Sequence, residues 1–195
     1  MEWNDRFMTL FREATERYLI NPHTAAERFF LPDETEFLAS IGSRPEELYR
    51  VIVDYATLGS PSPTTALLVA AQRRSFFLTT QRGISGTATE VKASALPAET
   101  EEFQEIPYLP RIIRKAEAML FGTLDKTLLF PDAQDREFLK THGNMHPADF
   151  LQLVVSARGD RQKIVTAVLN AMRAAAAEAA TPAAAPAPAQ GELSL

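Results

Sequence analysis

A chain of 195 residues allows one domain, or two small ones that share an interface. It contains no cysteine, which excludes disulfides and thiolate metal sites and fits a reducing, cytoplasmic setting. A formal net charge of −5 argues against a nucleic-acid binder, whose affinity rests on a basic surplus, and no apolar run approaches the roughly 18 residues of a membrane span. The opening MEWNDRFMTLF carries acids early and has no long apolar stretch, so no signal peptide is expected.

Trp3, Phe7, Leu10, Phe11, Ala14 and Tyr18 share one helical stripe, which Asn21-Pro22 stops. Ala25 to Leu31 reads as a short connector. Asp33 is expected to cap the next helix, with Glu36 completing a capping box, and Phe37, Leu38 and Ile41 face inward. Gly42 suits the left-handed residue that ends a helix. Ser43 is then read as a cap, with Pro45 in the first turn and Leu48, Val51, Ile52 and Tyr55 as the buried face.

After Gly59, Ser62 should cap a long helix from Thr64 to about Gln81. Its segment Ser75 to Thr80, SFFLTT, is rich in β-formers, so a strand is the alternative. The absence of a breaker before Gly83 favours the helix. Phe76 and Phe77 are expected in the core, with Arg73 and Arg74 on a solvated face. Residues 83–105 show no sustained period and read as a linker packed on the first half.

Beyond it, Leu109, Ile112, Ile113, Ala116, Met119 and Leu120 form a helical stripe ended by Gly122. Asp132 should cap a short helix carrying Phe138 and Leu139, closed by Gly143. Asn144 or His146 caps the next, with Phe150, Leu151, Val154 and Val155 inward. Asp160 caps the last, which buries Ile164, Val165, Val168, Leu169 and Met172. The alanines from Ala174 to Ala180 can extend it, and Thr181 to Leu195 has too little apolar content to form a core.

The halves echo each other. Pro32-Asp33 is answered by Pro131-Asp132, Phe37-Leu38 by Phe138-Leu139, Gly42 by Gly143, and Thr65–Leu68 by Thr166–Leu169. A nearly fixed offset over separate segments reads as internal duplication. The expected fold is therefore all-α. Two tandem four-helix repeats, 1–82 and 106–173, are joined by 83–105 and packed about a pseudo-twofold axis into one helical domain. An Ala/Pro-rich tail, 174–195, is expected to be disordered.

Little in the chain suggests chemistry. Arg111, Arg114 and Lys115 lie in the first turns of a helix with no acid before Glu117, where the dipole disfavours cations. They are the candidate anion-binding residues, unless they pair with Glu101, Glu102 and Glu105 of the linker. His142, His146 and Asp149 have ligand-like spacing, but Gly143 interrupts their helix, so no metal is expected. Asp33 and Asp132 are explained by capping. No nucleophile motif and no phosphate-cradling glycine loop is present, so no catalytic residue and no cofactor is nominated.

Leu109 to Leu124, LPRIIRKAEAMLFGTL, followed by Asp135, Phe138-Leu139, Gly143 and Ala148 to Leu151, resembles a bacterial domain family of unknown function, number five thousand and sixty-nine. The resemblance spans roughly Ile106 to Arg173. It implies a small bacterial helical domain and no activity, and places Arg111 and Lys115 on the family's motif. An aromatic that the family often carries near Thr127 or Leu129 is absent here. The expected function is a protein-interaction or scaffolding module that holds a protein partner or self-associates. The alternative is a small-anion or metabolite binder, or an enzyme, centred on Arg111, Arg114 and Lys115.

Overall fold

The computed structural model describes residues 2–85 and 89–180, and among them the fold is built from eight α-helices. The first four are α1 (Trp3–Ile20), α2 (Pro32–Ser40), α3 (Pro45–Leu58) and α4 (Pro63–Thr79). The last four are α5 (Leu109–Phe121), α6 (Ala133–Thr141), α7 (Pro147–Ala157) and α8 (Arg161–Ala180). A two-residue hairpin, β1 (Glu102–Phe103) and β2 (Ile106–Pro107), leads into α5. No described helix is long and apolar enough to cross a membrane.

Proline sets where several helices start. Its missing N–H and fixed φ suit the first helical position. Pro32 therefore opens α2, and Leu31 takes the cap position expected for Asp33. The reciprocal bond comes from Glu34 rather than Glu36: the Leu31 N–H donates to Glu34 Oε2 at 2.8 Å. Likewise Pro45 opens α3 behind Arg44, not Ser43. Ser62 and Asp132 cap α4 and α6 as expected, and His146 caps α7. Ser75 to Thr79 is helical, not strand.

Glu34 is buried, and Arg17 grips it with both ends of its guanidinium, at 2.7 and 2.9 Å. Burial works against the charge, but Arg17 and the Leu31 N–H outweigh it, and the carboxyl sits below its ordinary value. Such a group contributes stability above its unfolded pKa and loses it as pH falls through its folded pKa. Glu34→Gln should cost about 1.5–3 kcal/mol at neutral pH. The gap to wild type should close in acid, below about pH 4. Urea melts across that range read it; a gap independent of pH would show that the charge is not its source.

The core has two parts. Phe7, Phe11, Phe37, Leu38 and Ile52 anchor the first, between α1, α2 and α3. Leu109, Ile112, Ile113, Phe150, Leu151 and Val165 anchor the second, between α5, α7 and α8. Helix α4 serves both: Ala66 and Ala70 face the first part, Val69 and Phe76 the second. It packs on α1, α5 and α7, whereas α8 packs chiefly on α7. The segment between the halves joins the second part of the core rather than the first. Val91 and Leu96 are buried there, and Val91 bridges Leu124. Helix α8 continues through Ala174 to Ala180, so those residues are not tail. The expectation of disorder from Thr181 onward lies outside the described residues.

Candidate functional site

Nine of the 13 residues of α5 are buried, so the helix is a central strut. Tyr108 precedes it in a left-handed conformation, φ 69°, that bulky residues rarely adopt. Lys115 lies on its apolar stripe, where an unpaired ammonium would be prohibitively costly. Its Nζ is 2.5 Å from Oδ2 of Asp132 and 2.5 Å from Oδ2 of Asp135. Asp135 is completely buried and also accepts from the Tyr108 hydroxyl at 2.8 Å and from the Asp132 N–H at 3.0 Å. Asp132 Oδ1 accepts the Asp135 N–H in return, at 2.9 Å.

The two acids respond oppositely. For Asp132, burial raises the pKa but the Lys115 charge outweighs it, and the net shift is downward. For Asp135, deeper burial and the Asp132 charge win over Lys115, and the net shift is upward. Burial and the facing Asp135 also raise Tyr108, which keeps its phenol a donor.

The three cations nominated from sequence are thus directed at separate partners. Arg111 donates to the Pro97 carbonyl at 2.8 Å, Arg114 pairs with Glu117 at 3.4 Å, and Lys115 is enclosed by Asp132 and Asp135. The pairing of the cations is therefore not with Glu101, Glu102 or Glu105. Asp135 entered the sequence reading only as part of the family resemblance, with no role assigned, although a lone lysine on a buried stripe signals a hidden carboxylate. The histidines also diverge. His146 Nδ1 accepts the Ala148 N–H, while His142 stacks on Phe138 with its Nδ1 on the Phe138 carbonyl. Among the described residues no group of three or more His, Asp or Glu is placed to hold a metal ion.

Arg73 departs from its expected solvated face: it is only 2% exposed. Its guanidinium lies over the Phe77 ring, donates to Gln81 Oε1 at 2.6 Å, and leaves Nε without a partner. Burial lowers its pKa, and the Glu47 charge opposes that.

The halves meet where α3 grips the loop after α5. Arg44 donates to the Leu124 carbonyl, Arg50 Nε donates to the Lys126 carbonyl at 2.6 Å, and Asp54 pairs with Arg136 at 3.5 Å. Beneath lies an apolar cavity of about 50 Å³ bounded by Leu48, Val69, Met119, Leu129 and Phe130. Metabolite sites typically measure ~300–1,000 Å³, so this joint has no room for one. A hollow of about 400 Å³ adjoins it, with Glu46, Arg50, Asp54, Lys126 and Asp132 among apolar side chains in its lining. Most of its charges are already answered within the chain: Asp54 by Arg136, Asp132 by Lys115 and Lys126 by Glu27.

A larger opening also lies at the C-terminal end of α5. There α4, α5 and α7 end side by side around a groove of about 610 Å³. Phe76, Leu120 and Val154 line it as buried side chains. Phe121 stands beside them, 47% exposed and edge-on to Phe76 at 4.9 Å, and Val155 is 37% exposed. Glu117 of α5 and Arg158, at the end of α7, contribute opposite charges to the lining. The sequence carried a partial signal here, since Val155 was assigned to an inner face it does not occupy and Phe121 lies off the stripe of α5.

No family model matches the chain, no curated protein is significantly similar to it, and no solved structure matches its fold.

Proposed function

We propose that the protein is a protein-interaction module that docks its partner in the groove at the C-terminal ends of α4, α5 and α7. The observation that carries this reading is Phe121, half exposed beside Val155 over an apolar floor. Fully burying such an aromatic contributes roughly 1.5–3 kcal/mol, and docking recovers about half of that, the share the exposed half of Phe121 forgoes. The groove has no set of convergent polar groups of the kind that orients a small ligand; its charges stand apart, as at an interface rim. The competing proposal is an anion held by Arg111, Arg114 and Lys115. It requires a cation free to receive the anion, whereas Lys115 already serves two carboxylates.

The apolar dye bis-ANS tests whether the groove is open to apolar groups. Wild type should bind it, and Phe121→Ser should reduce the bound fluorescence several-fold while melting at nearly the same temperature. Equal, negligible fluorescence from both would remove the proposal.

We also infer that the two halves descend from one doubled four-helix unit. The supporting observations are the shared order of helices and their glycines. Gly42 follows α2 against Phe77 of α4, and Gly143 follows α6 against Ala171 of α8. Each half thus seats its fourth helix on the glycine after its second. The unequal packing of α4 and α8 then marks where the halves diverged. The bacterial-domain resemblance of the second half adds no activity to this reading.

A further inference from the structure

We propose that the occupant of the groove is a second copy of the same chain, seated about a twofold axis. This rests on the docking reading above and names the partner. The groove is lined by one acid, Glu117 of α5, and one base, Arg158 at the end of α7. A twofold axis through the middle of the groove lays the α5 wall of each copy over the α7 wall of the other. Glu117 of each copy then meets Arg158 of its mate, twice per interface, as an isologous contact requires. The same operation stacks Phe121 and Val155 of one copy against those of the other, which buries both exposed apolar groups at once.

Charge favours this partner over a strongly acidic or basic one. The whole chain carries −5, so two copies repel over most of their surfaces. The groove itself carries one charge of each sign, Glu117 and Arg158, and Glu117 already shares its charge with Arg114 outside the lining, at 3.4 Å. Two copies therefore approach there with no local excess of acid. A polyanionic or polycationic partner would leave one of the two signs unmatched. Arg158 makes no ion pair among the described residues, so its charge is free to answer a neighbour.

Sedimentation equilibrium on the full chain, over a wide concentration range, tests this. Wild type should self-associate to a dimer. Arg158→Glu and Glu117→Arg should each weaken the dimer about tenfold or more, and the double swap should restore most of the loss. Arg158 is exposed, so its reversal leaves the monomer folded, which the melting temperature checks. A wild type that stays monomeric but binds bis-ANS through Phe121 overturns the second copy while the docking reading stands. A monomer with no dye binding overturns both. A dimer indifferent to Phe121→Ser and Arg158→Glu places the interface elsewhere and overturns this proposal. Single swaps that weaken the dimer without rescue by the double overturn the twofold pairing.

Discussion

Lys115→Met should lose roughly 3–5 kcal/mol of stability, the cost of leaving a buried charge without its partner. A domain of this size has only about 5–15 kcal/mol in total, so the variant should melt far below wild type. The reason is geometric. Asp135 is completely buried, and among the described residues the only cation within salt-bridge distance of it is Lys115, at 2.5 Å. Methionine fills the lysine's apolar volume, so the loss reports charge rather than a cavity. Two further measurements isolate the cause. Lys115→Met combined with Asp135→Asn removes the orphaned charge and should recover about half of the loss. Acid should narrow the deficit as well. Asp135 already has a raised pKa in the fold, and once protonated it needs no counter-ion. The sign follows: a raised carboxyl favours the folded state at low pH and loses that advantage as pH rises through its folded value. If Lys115→Met costs under about 1 kcal/mol in urea melts, the cluster does not hold α5 to α6.

This cluster also shows what the sequence could and could not convey. The apolar period of α5 was plain, and so was Asp132 as a cap, because both are local patterns. That the same Asp132 turns its second oxygen to a lysine 17 residues earlier is a tertiary fact with no local signature. The anion reading of Arg111, Arg114 and Lys115 came chiefly from the helix dipole, which sees position along a helix and not what packs on it. Helix α4 shows the same limit. Its apolar residues fall on two faces because it is buried by both halves, so Arg73 was assigned to a solvated side that it does not occupy. The hairpin before α5 was invisible for another reason. Its two turn residues, Gln104 and Glu105, take positive φ without being Gly, Asn or Asp, the residue types that announce such a turn. The cap shifts at Pro32 and Pro45 were readable in principle, since proline prefers the first helical position and displaces the cap to the residue before it.

Gly143→Ala should cost roughly 3 kcal/mol, against about 1 kcal/mol for Gly59→Ala, and the difference isolates packing from backbone strain. Both glycines hold positive φ, 97° and 69°, where a side chain is strained whatever the space around it. At Gly59 an added methyl meets nothing within 4 Å, so strain is the whole cost. At Gly143 it would lie 2.5 Å from the Ala171 side chain, 2.6 Å from the Ala171 carbonyl carbon and 2.9 Å from the Met172 nitrogen. Two of those three atoms are backbone of α8, which cannot rotate aside, so the helix itself must move. Because α8 is seated on α7, that displacement reaches Val165 and Val168 in the second part of the core. The prediction is therefore specific in kind as well as size. Hydrogen exchange should quicken across α8 in Gly143→Ala and stay unchanged there in Gly59→Ala. Equal losses for the two variants would mean that α8 does not rest on Gly143. The groove makes a further distinction possible, since its walls come from α4, α5 and α7 and none from α8. A Gly143→Ala protein that remains folded should keep its Phe121-dependent dye binding even as α8 loosens.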